Sequence, residues 1–190
     1  MLKKIVIIGP ESTGKSTLCE QLAKHYNTSW CPEYARQFLL EHGTHYSYDD
    51  LLTIAKGQLE LEEKCIQSLG KTSGPEVHSR SPMVNSELLF IDTNMYVMKV
   101  WCEFVFGKCH QFILDQIKKR TYHFYLLCNV DLPWTYDELR EYPDIERRKK
   151  LYRMYEDLME NQGVSWIKIS GNSEQRLEKA IKAVDGLIRE

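Results

Sequence analysis

The chain has 190 residues, 43% of them hydrophobic and 27% charged, with a formal net charge of −2. That length predicts one domain with a real core, and the near-neutral balance gives no pull toward nucleic acid or acidic membranes. The apolar run Ile5–Ile8 is too short for a signal-peptide core, and no segment approaches the ~20 apolar residues of a membrane span.

Lys3-Lys4-Ile5-Val6-Ile7-Ile8 reads as a strand ending at Gly9, and Leu18, Leu22 and Ala23 place a helix after it. Residues 29–32 form a second short strand and 34–42 a helix. Ser47-Tyr48-Asp49-Asp50 has the form of a capping box, with Asp in place of the usual Glu or Gln. It opens a long helix with Leu51, Leu52, Ala55, Leu59 and Ile66 toward one side. Residues 70–86, GKTSGPEVHSRSPMVNS, are rich in Gly, Pro and Ser and read as a long flexible loop. Leu88–Ile91 is a third strand, with helices over 95–105 and 110–120, and His123–Cys128 a fourth. A charged amphipathic helix covers 145–160, and Val164–Ile169 is a fifth strand. The last helix puts Leu177, Ala180, Ile181, Val184, Leu187 and Ile188 on one stripe. Strands alternating with helices predict an α/β fold: a central, mostly parallel five-stranded sheet, covered on both faces, with ligands at the carboxyl ends of the strands.

Gly9-Pro10-Glu11-Ser12-Thr13-Gly14-Lys15-Ser16 fits G-x-x-x-x-G-K-[ST] between a strand and a helix, the context that pattern requires. Glycines let the backbone curl its N–H groups around phosphates, and the helix N-terminus adds positive potential. Gly9, Glu11, Ser12, Thr13, Gly14, Lys15, Ser16 and the adjoining Thr17 are therefore the candidate nucleotide site. Lys15 reaches the β- and γ-phosphates and Ser16 holds Mg²⁺. The N-K-x-D guanine reader of GTPases is not matched by Asn129-Val130-Asp131.

Three further parts are expected of a small-molecule kinase. Leu88-Leu89-Phe90-Ile91-Asp92 delivers a carboxylate to the metal side, although Asp92 could instead cap the next helix. Glu33, after Ser29-Trp30-Cys31-Pro32, stands on the same rim as the phosphate loop and could accept a hydroxyl proton, or else merely start a helix. Arg36, one turn on, could bind substrate oxygens or pair with Glu33. The segment 131–150, with Arg140 and then Arg147-Arg148-Lys149-Lys150, is a candidate lid whose cations neutralise developing charge. The six cysteines form no C-x-x-C pair and read as reduced thiols of a cytoplasmic protein. His42 and His45 lack supporting ligands and read as surface histidines.

With GPESTGKS, EYARQF, AKGQ at 55–58, LFIDTN, FGKCHQFILDQI at 106–117, DLPWTYDELR and a final ISGN…R…A in this order, the chain resembles the ribosylnicotinamide kinase domain of the NadR family from Lys4 to about Leu187. The resemblance implies a three-layer P-loop NTPase fold like that of nucleoside kinases, with an arginine-bearing lid. It implies ATP and Mg²⁺ as cofactors and phosphorylation of the 5′-hydroxyl of nicotinamide riboside.

By the same resemblance Lys15, Glu33, Asp92 and Arg140 are catalytic, with Ser16 and Asp92 on the metal. Glu33 is the better base by this analogy, and the reverse assignment stays open. Arg140, with Arg147 or Arg148, and Gly171 join the nucleotide site, Arg148 being carried there with Arg140. Glu33, Tyr34, Arg36, Gln58, Asp92 and Trp101 meet the riboside. Trp30, Tyr34, Tyr96, Trp101 and Trp134 are candidates for stacking on the nicotinamide ring.

Asn94 departs from the Asp that often follows FIDT in the family, and the 70–86 loop is longer than usual. The DNA-binding and adenylyltransferase domains of many relatives are not expected in 190 residues. A nucleotide-dependent switch, and a kinase of another acceptor, remain the competing expectations.

Overall fold

Alternating side chains of one buried strand enter different clusters, and this explains how the sheet is packed. In the computed structural model, which describes residues 1–71 and 87–189, the first strand, β1 (Lys3–Ile8), sends Ile5 and Ile7 into one hydrophobic cluster and Val6 and Ile8 into another. This is the two-residue period of a strand covered on both faces. Helix α1 spans Lys15–His25, β2 Ser29–Cys31, α2 Tyr34–His42, α3 Tyr48–Lys71, β3 Leu88–Asp92 and α4 Met95–Phe106. Helix α5 spans Gln111–Lys119, β4 Phe124–Cys128, α6 Ile145–Asn161, β5 Trp166–Ile169 and α7 Ser173–Arg189.

The five strands are all parallel in the order β2-β3-β1-β4-β5. Leu18, Cys19 and Leu22 of α1 and Ala180 and Val184 of α7 cover one face; Val97 and Val100 of α4 and Leu151, Tyr152, Tyr155 and Met159 of α6 cover the other. A third cluster knits α2, α3, α4 and α5 together beyond the β2 edge. The expected α/β three-layer architecture with a parallel five-stranded sheet is the one observed. Among the described residues no helix is long and apolar enough to cross a membrane.

The long helix starts where the capping box put it: Asp50 N–H donates to Ser47 Oγ at 3.3 Å, and Asp50 Oδ2 accepts from Ser47 N–H at 2.8 Å. Its buried stripe is Leu51, Ile54, Ala55, Gln58, Leu59, Glu62 and Leu69; Leu52 is turned partly outward. The helix runs through residues 70 and 71 of the expected loop, and 72–86 lie outside the described residues. The expected lid divides into an irregular segment, 131–144, and the first turns of α6. Strand β5 begins two residues later than expected, because the Gln162 side chain pairs with both backbone groups of Val164, at 2.8 and 2.6 Å. Ile188 on the last helix is exposed, one position past the stripe.

Gly57 sits where α3 crosses the start of α2, and a Cβ there would lie 2.1 Å from Cε1 of Tyr34. Helix propensity favours Gly57→Ala by about 1 kcal/mol, but overpacking a tight contact costs roughly 1–3 kcal/mol or more. The clash should win, so the variant should melt lower by a few degrees, at roughly 2–4 °C per kcal/mol. A thermal melt equal to or above wild type would mean that the Tyr34 ring yields freely.

Candidate active site

The phosphate loop is forced by close packing on the end of β4. Gly9 has φ +140°, and a Cβ there would stand 2.7 Å from the carbonyl oxygen of Cys128, so the loop can leave β1 only through glycine. Ser12 (φ 55°) and Gly14 (φ +76°) complete the curl. Thr13 Oγ1–H donates to Pro10 O at 2.7 Å, and Lys15 Nζ donates to the same oxygen at 3.0 Å. Gly14 caps α1 without any side-chain hydrogen bond, which leaves the helix N-terminus open to an anion.

Two buried arginines hold the loop from behind. Arg148 donates to Ser12 O at 3.1 Å and Leu132 O at 3.4 Å. Arg176 donates to Thr13 O at 2.9 Å, Gly171 O at 2.7 Å and Asn129 O at 3.1 Å, and pairs with Asp131. These contacts place three of the expected nucleotide-site residues within or behind the loop. Arg148 is 2% exposed and braces the loop instead of serving as a free lid cation. Thr13 is buried and closes the loop internally. Gly171, whose N–H binds Asp131 Oδ2 at 2.7 Å, supports that brace and does not line the cleft. Arg147 is exposed on the outer face of α6.

On the other side of the loop opens a cleft of about 330 Å³, within the range of small-ligand sites. It runs from Gly9, Glu11, Ser12, Gly14, Lys15, Ser16 and Thr17 to a recess walled by Trp30, Leu39, Val97, Trp101, Phe104, Tyr142, Leu151 and Tyr155. Glu33, Arg36, Asp92 and Arg140 line the same space. The sequence reading missed most of the apolar recess. Tyr34 and Gln58 are not in it. Gln58, 1% exposed, accepts from Tyr34 N–H at 2.7 Å and donates to Pro32 O at 3.2 Å, so it clamps the backbone on both sides of Glu33. Tyr96 and Trp134 are likewise outside the lining.

Neither carboxylate caps a helix through its side chain. Glu33 occupies the N-cap position of α2 but makes no side-chain cap bond; its Oε1 accepts from Thr93 Oγ1 at 3.3 Å. The cap of α4 is Asn94, whose Oδ1 accepts from Tyr96 N–H at 3.0 Å, not Asp92. Asp92 is fully buried, its Oδ2 accepts from Ser16 Oγ–H at 2.5 Å, and its Oδ1 has no hydrogen-bond partner. Burial first, then the charge of Glu33, pushes the Asp92 pKa up to about 6, against the opposing pull of Lys15 and Ser16. Directly after it, Thr93 is held at φ 76°, a strained conformation for a β-branched residue that costs on the order of 1–3 kcal/mol.

A hydroxyl, a carboxylate and an unmatched carboxylate oxygen are hard oxygen donors, and they fit Mg²⁺. That ion keeps waters and phosphate oxygens in most of its coordination positions. No group of three or more His, Cys, Asp or Glu side chains able to cage a metal occurs among the described residues, so an ion here would be shared with a phosphate.

The irregular segment 131–144 of the expected lid lies on the loop. Glu11 accepts from Glu141 N–H at 3.0 Å and from Tyr142 N–H, and burial raises its pKa. Ser12 Oγ accepts from Thr135 N–H at 3.1 Å and from Arg140 Nη1 at 3.3 Å. Arg36 does not pair with Glu33; it donates to both oxygens of lid residue Asp137, at 3.2 and 3.0 Å. Trp101 Nε1–H donates to Tyr46 Oη at 2.8 Å, and Tyr46 donates to Glu141 at 2.9 Å, so one wall of the recess is wired to the lid.

A family model described as an AAA domain matches residues 4–176, and the chain belongs to that family. It is 24% identical over 172 residues to the trifunctional NAD biosynthesis/regulator protein NadR of Escherichia coli strain K12, and equally to that of Salmonella typhimurium, covering 88% of this chain. The chain spans only 38% of the length of those relatives. A crystal structure of NadR protein in complex with NR superposes with a TM-score of 0.72 at 20% identity, over 98% of this chain and 49% of that one. Thymidylate kinase from Ehrlichia chaffeensis gives 0.62 at 15% identity, over 96% and 98%. At these identities the two structures speak for the fold, a P-loop α/β architecture shared with kinases.

The buried charge at Asp92 has a pH signature. Its pKa is raised from 3.8 to about 6 in the folded chain. The unfolded chain therefore releases its proton first, and stability falls as pH rises from about 4 to about 6. The cost above pH 6 is on the order of 2–3 kcal/mol. Asp92→Asn removes it, so the melting temperature of the variant relative to wild type should rise between pH 4.5 and pH 8 by several degrees. A difference that stays constant across that range would show the charge to be fully compensated.

Proposed function

We propose that this chain is an ATP-dependent kinase of the cytoplasm that phosphorylates the 5′-hydroxyl of nicotinamide riboside to nicotinamide mononucleotide. The supporting observation is a single cleft with two unlike ends, a phosphate loop and an aromatic recess, with two carboxylates at their junction. A nucleotide switch needs only the first end. The NadR relatives carry NAD biosynthesis in their names, and the NadR–NR complex shares the fold, which supports a riboside in the recess.

In this reading Lys15 lets go of Pro10 O and meets the β- and γ-phosphates, neutralising the charge that spreads over the transferring phosphoryl. Arg140, already beside Ser12, adds a second cation from the lid side. Mg²⁺, held by Ser16 and Asp92, would supply charge neutralisation between phosphate oxygens. The flat ring stacks in the aromatic recess, and this fixes the ribose so that its 5′-oxygen faces Glu33. Glu33 takes the hydroxyl proton as the new O–P bond forms and the bond from the γ-phosphorus to the bridging oxygen breaks, releasing ADP. Asp92 is the poorer base, because its oxygen is already committed to Ser16 and its remaining oxygen suits a cation.

ADP release measured with ATP and a panel of nucleosides tests the proposal. Nicotinamide riboside should stimulate turnover above the acceptor-free rate; slow hydrolysis that no acceptor stimulates would support a switch, and stimulation by a different nucleoside alone would reassign the acceptor. Glu33→Gln should lose roughly 10²–10⁴-fold in kcat, the usual share of a general base, with little change in its thermal melt. A well-folded variant with wild-type kcat and KM would remove Glu33 from the chemistry.

A further inference from the structure

A β-branched residue in the left-handed region is a poor choice for a turn that glycine would make without strain. Thr93 is such a residue, with φ 76°, 1% exposed, between Asp92 and the cap of α4. Its backbone N–H makes a long contact with Ile7 O at 3.4 Å, which any residue could make. What glycine could not supply is the hydroxyl, and that hydroxyl donates to Glu33 Oε1 at 3.3 Å. The donor reaches Glu33 from the strand that carries Asp92. Gln58 meanwhile fixes the backbone at Pro32 and Tyr34 on either side of Glu33. The carboxylate is thus held at its root by an amide and at its tip by a hydroxyl, both from other parts of the chain.

We infer that Thr93 is a positioning residue for Glu33: its hydroxyl occupies Oε1, directs Oε2 to the acceptor, and is the reason a strained threonine stands where glycine would fit. This inference rests on the kinase reading for its kinetic consequences, though not for the contact itself.

Three variants separate the parts of the residue. Thr93→Val keeps the shape and the strain but removes the donor. A hydrogen bond to a charged group corresponds to roughly 10–100-fold in rate, so kcat for the riboside should fall by about that factor while the KM for ATP stays within about twofold. Thr93→Gly relieves the strain and should melt higher than wild type while losing activity to the same extent. Thr93→Ser restores the donor and should recover kcat to within a few-fold of wild type. A residue that only supports the fold would show stability and activity falling together, with no rescue specific to serine.

If the wild-type chain turns over no nucleoside, the kinase reading fails, and chemical denaturation of Thr93→Val, Glu33→Ala and the double variant still decides the contact. Non-additive midpoint shifts would uphold the Thr93–Glu33 bond. Additive shifts, or a Thr93→Val variant with wild-type kcat, would overturn the inference.

Discussion

Every group at the site depends on the register between β1 and β3. Ile7 stands opposite Asp92, and Cys31 of β2 opposite Ile91. Parallel strands end on the same rim, so the phosphate loop leaving Gly9, the carboxylate of Asp92 and the turn carrying Glu33 arrive there together. A slip of one residue would reverse which face each side chain meets. Ser16 would then lose Asp92, and Thr93 would no longer reach Glu33. The register is enforced because β3 is buried along its whole length and both of its faces are packed. The apolar core is thus the cause of the polar geometry at its edge.

The phosphate loop is held from two directions with different strengths. Behind it Arg148 and Arg176 are 2% and 3% exposed and bind carbonyls of the loop. Removing either would strand a buried carbonyl, a cost comparable to a lost hydrogen bond. In front, the segment 131–144 meets the loop through backbone donors to Glu11 and Ser12 and through Arg140 to Ser12. Asp131 and Leu132 at its root are held by the same two buried arginines. It is tied elsewhere by Tyr46 to Glu141 and by the Arg36–Asp137 pair, whose arginine is about half exposed. Exposed pairs of that kind contribute little. The loop is therefore braced by buried donors from behind, while residues 135–142 meet it through partly exposed contacts.

The sequence displayed the strand–loop–helix unit, the alternation that fixes the sheet and the two rim carboxylates, because each follows from local pattern or from a strand's end. It did not display which long side chains turn inward. Arg147 and Arg148 are neighbours in a cationic run, yet one is solvated and the other lies beneath the loop. A usable signal existed: Arg148 falls on the stripe of Leu151, Tyr152, Tyr155 and Met159, the buried face of α6. The same stripe carries Leu151 and Tyr155 into the recess, where the sequence offered only isolated aromatics. Gln58 belongs to the AKGQ stretch, but a conspicuous residue can serve a site from behind. Only the crossing of α3 over the β2–α2 turn tells the two situations apart.

Among the described residues two carboxylates are fully buried, and their surroundings show which one is structural. Glu62, at the opposite end of the sheet, accepts from Lys4 at 3.0 Å, from Arg120 at 3.3 Å and from Tyr122 Oη at 2.9 Å. Its charge is balanced within the fold, as an enduring buried ion must be. Asp92 has one hydroxyl donor, a second oxygen with no partner, a like charge at Glu33 nearby and a strained residue after it. Burial is the same; compensation is not. A fold that can satisfy Glu62 so completely has no general difficulty in placing donors around a carboxylate. The shortfall at Asp92 therefore marks a demand left for something that arrives with the substrate. A divalent cation held by Asp92 and Ser16 together with a bound nucleotide would meet it, supplying positive charge to both Asp92 and its neighbour.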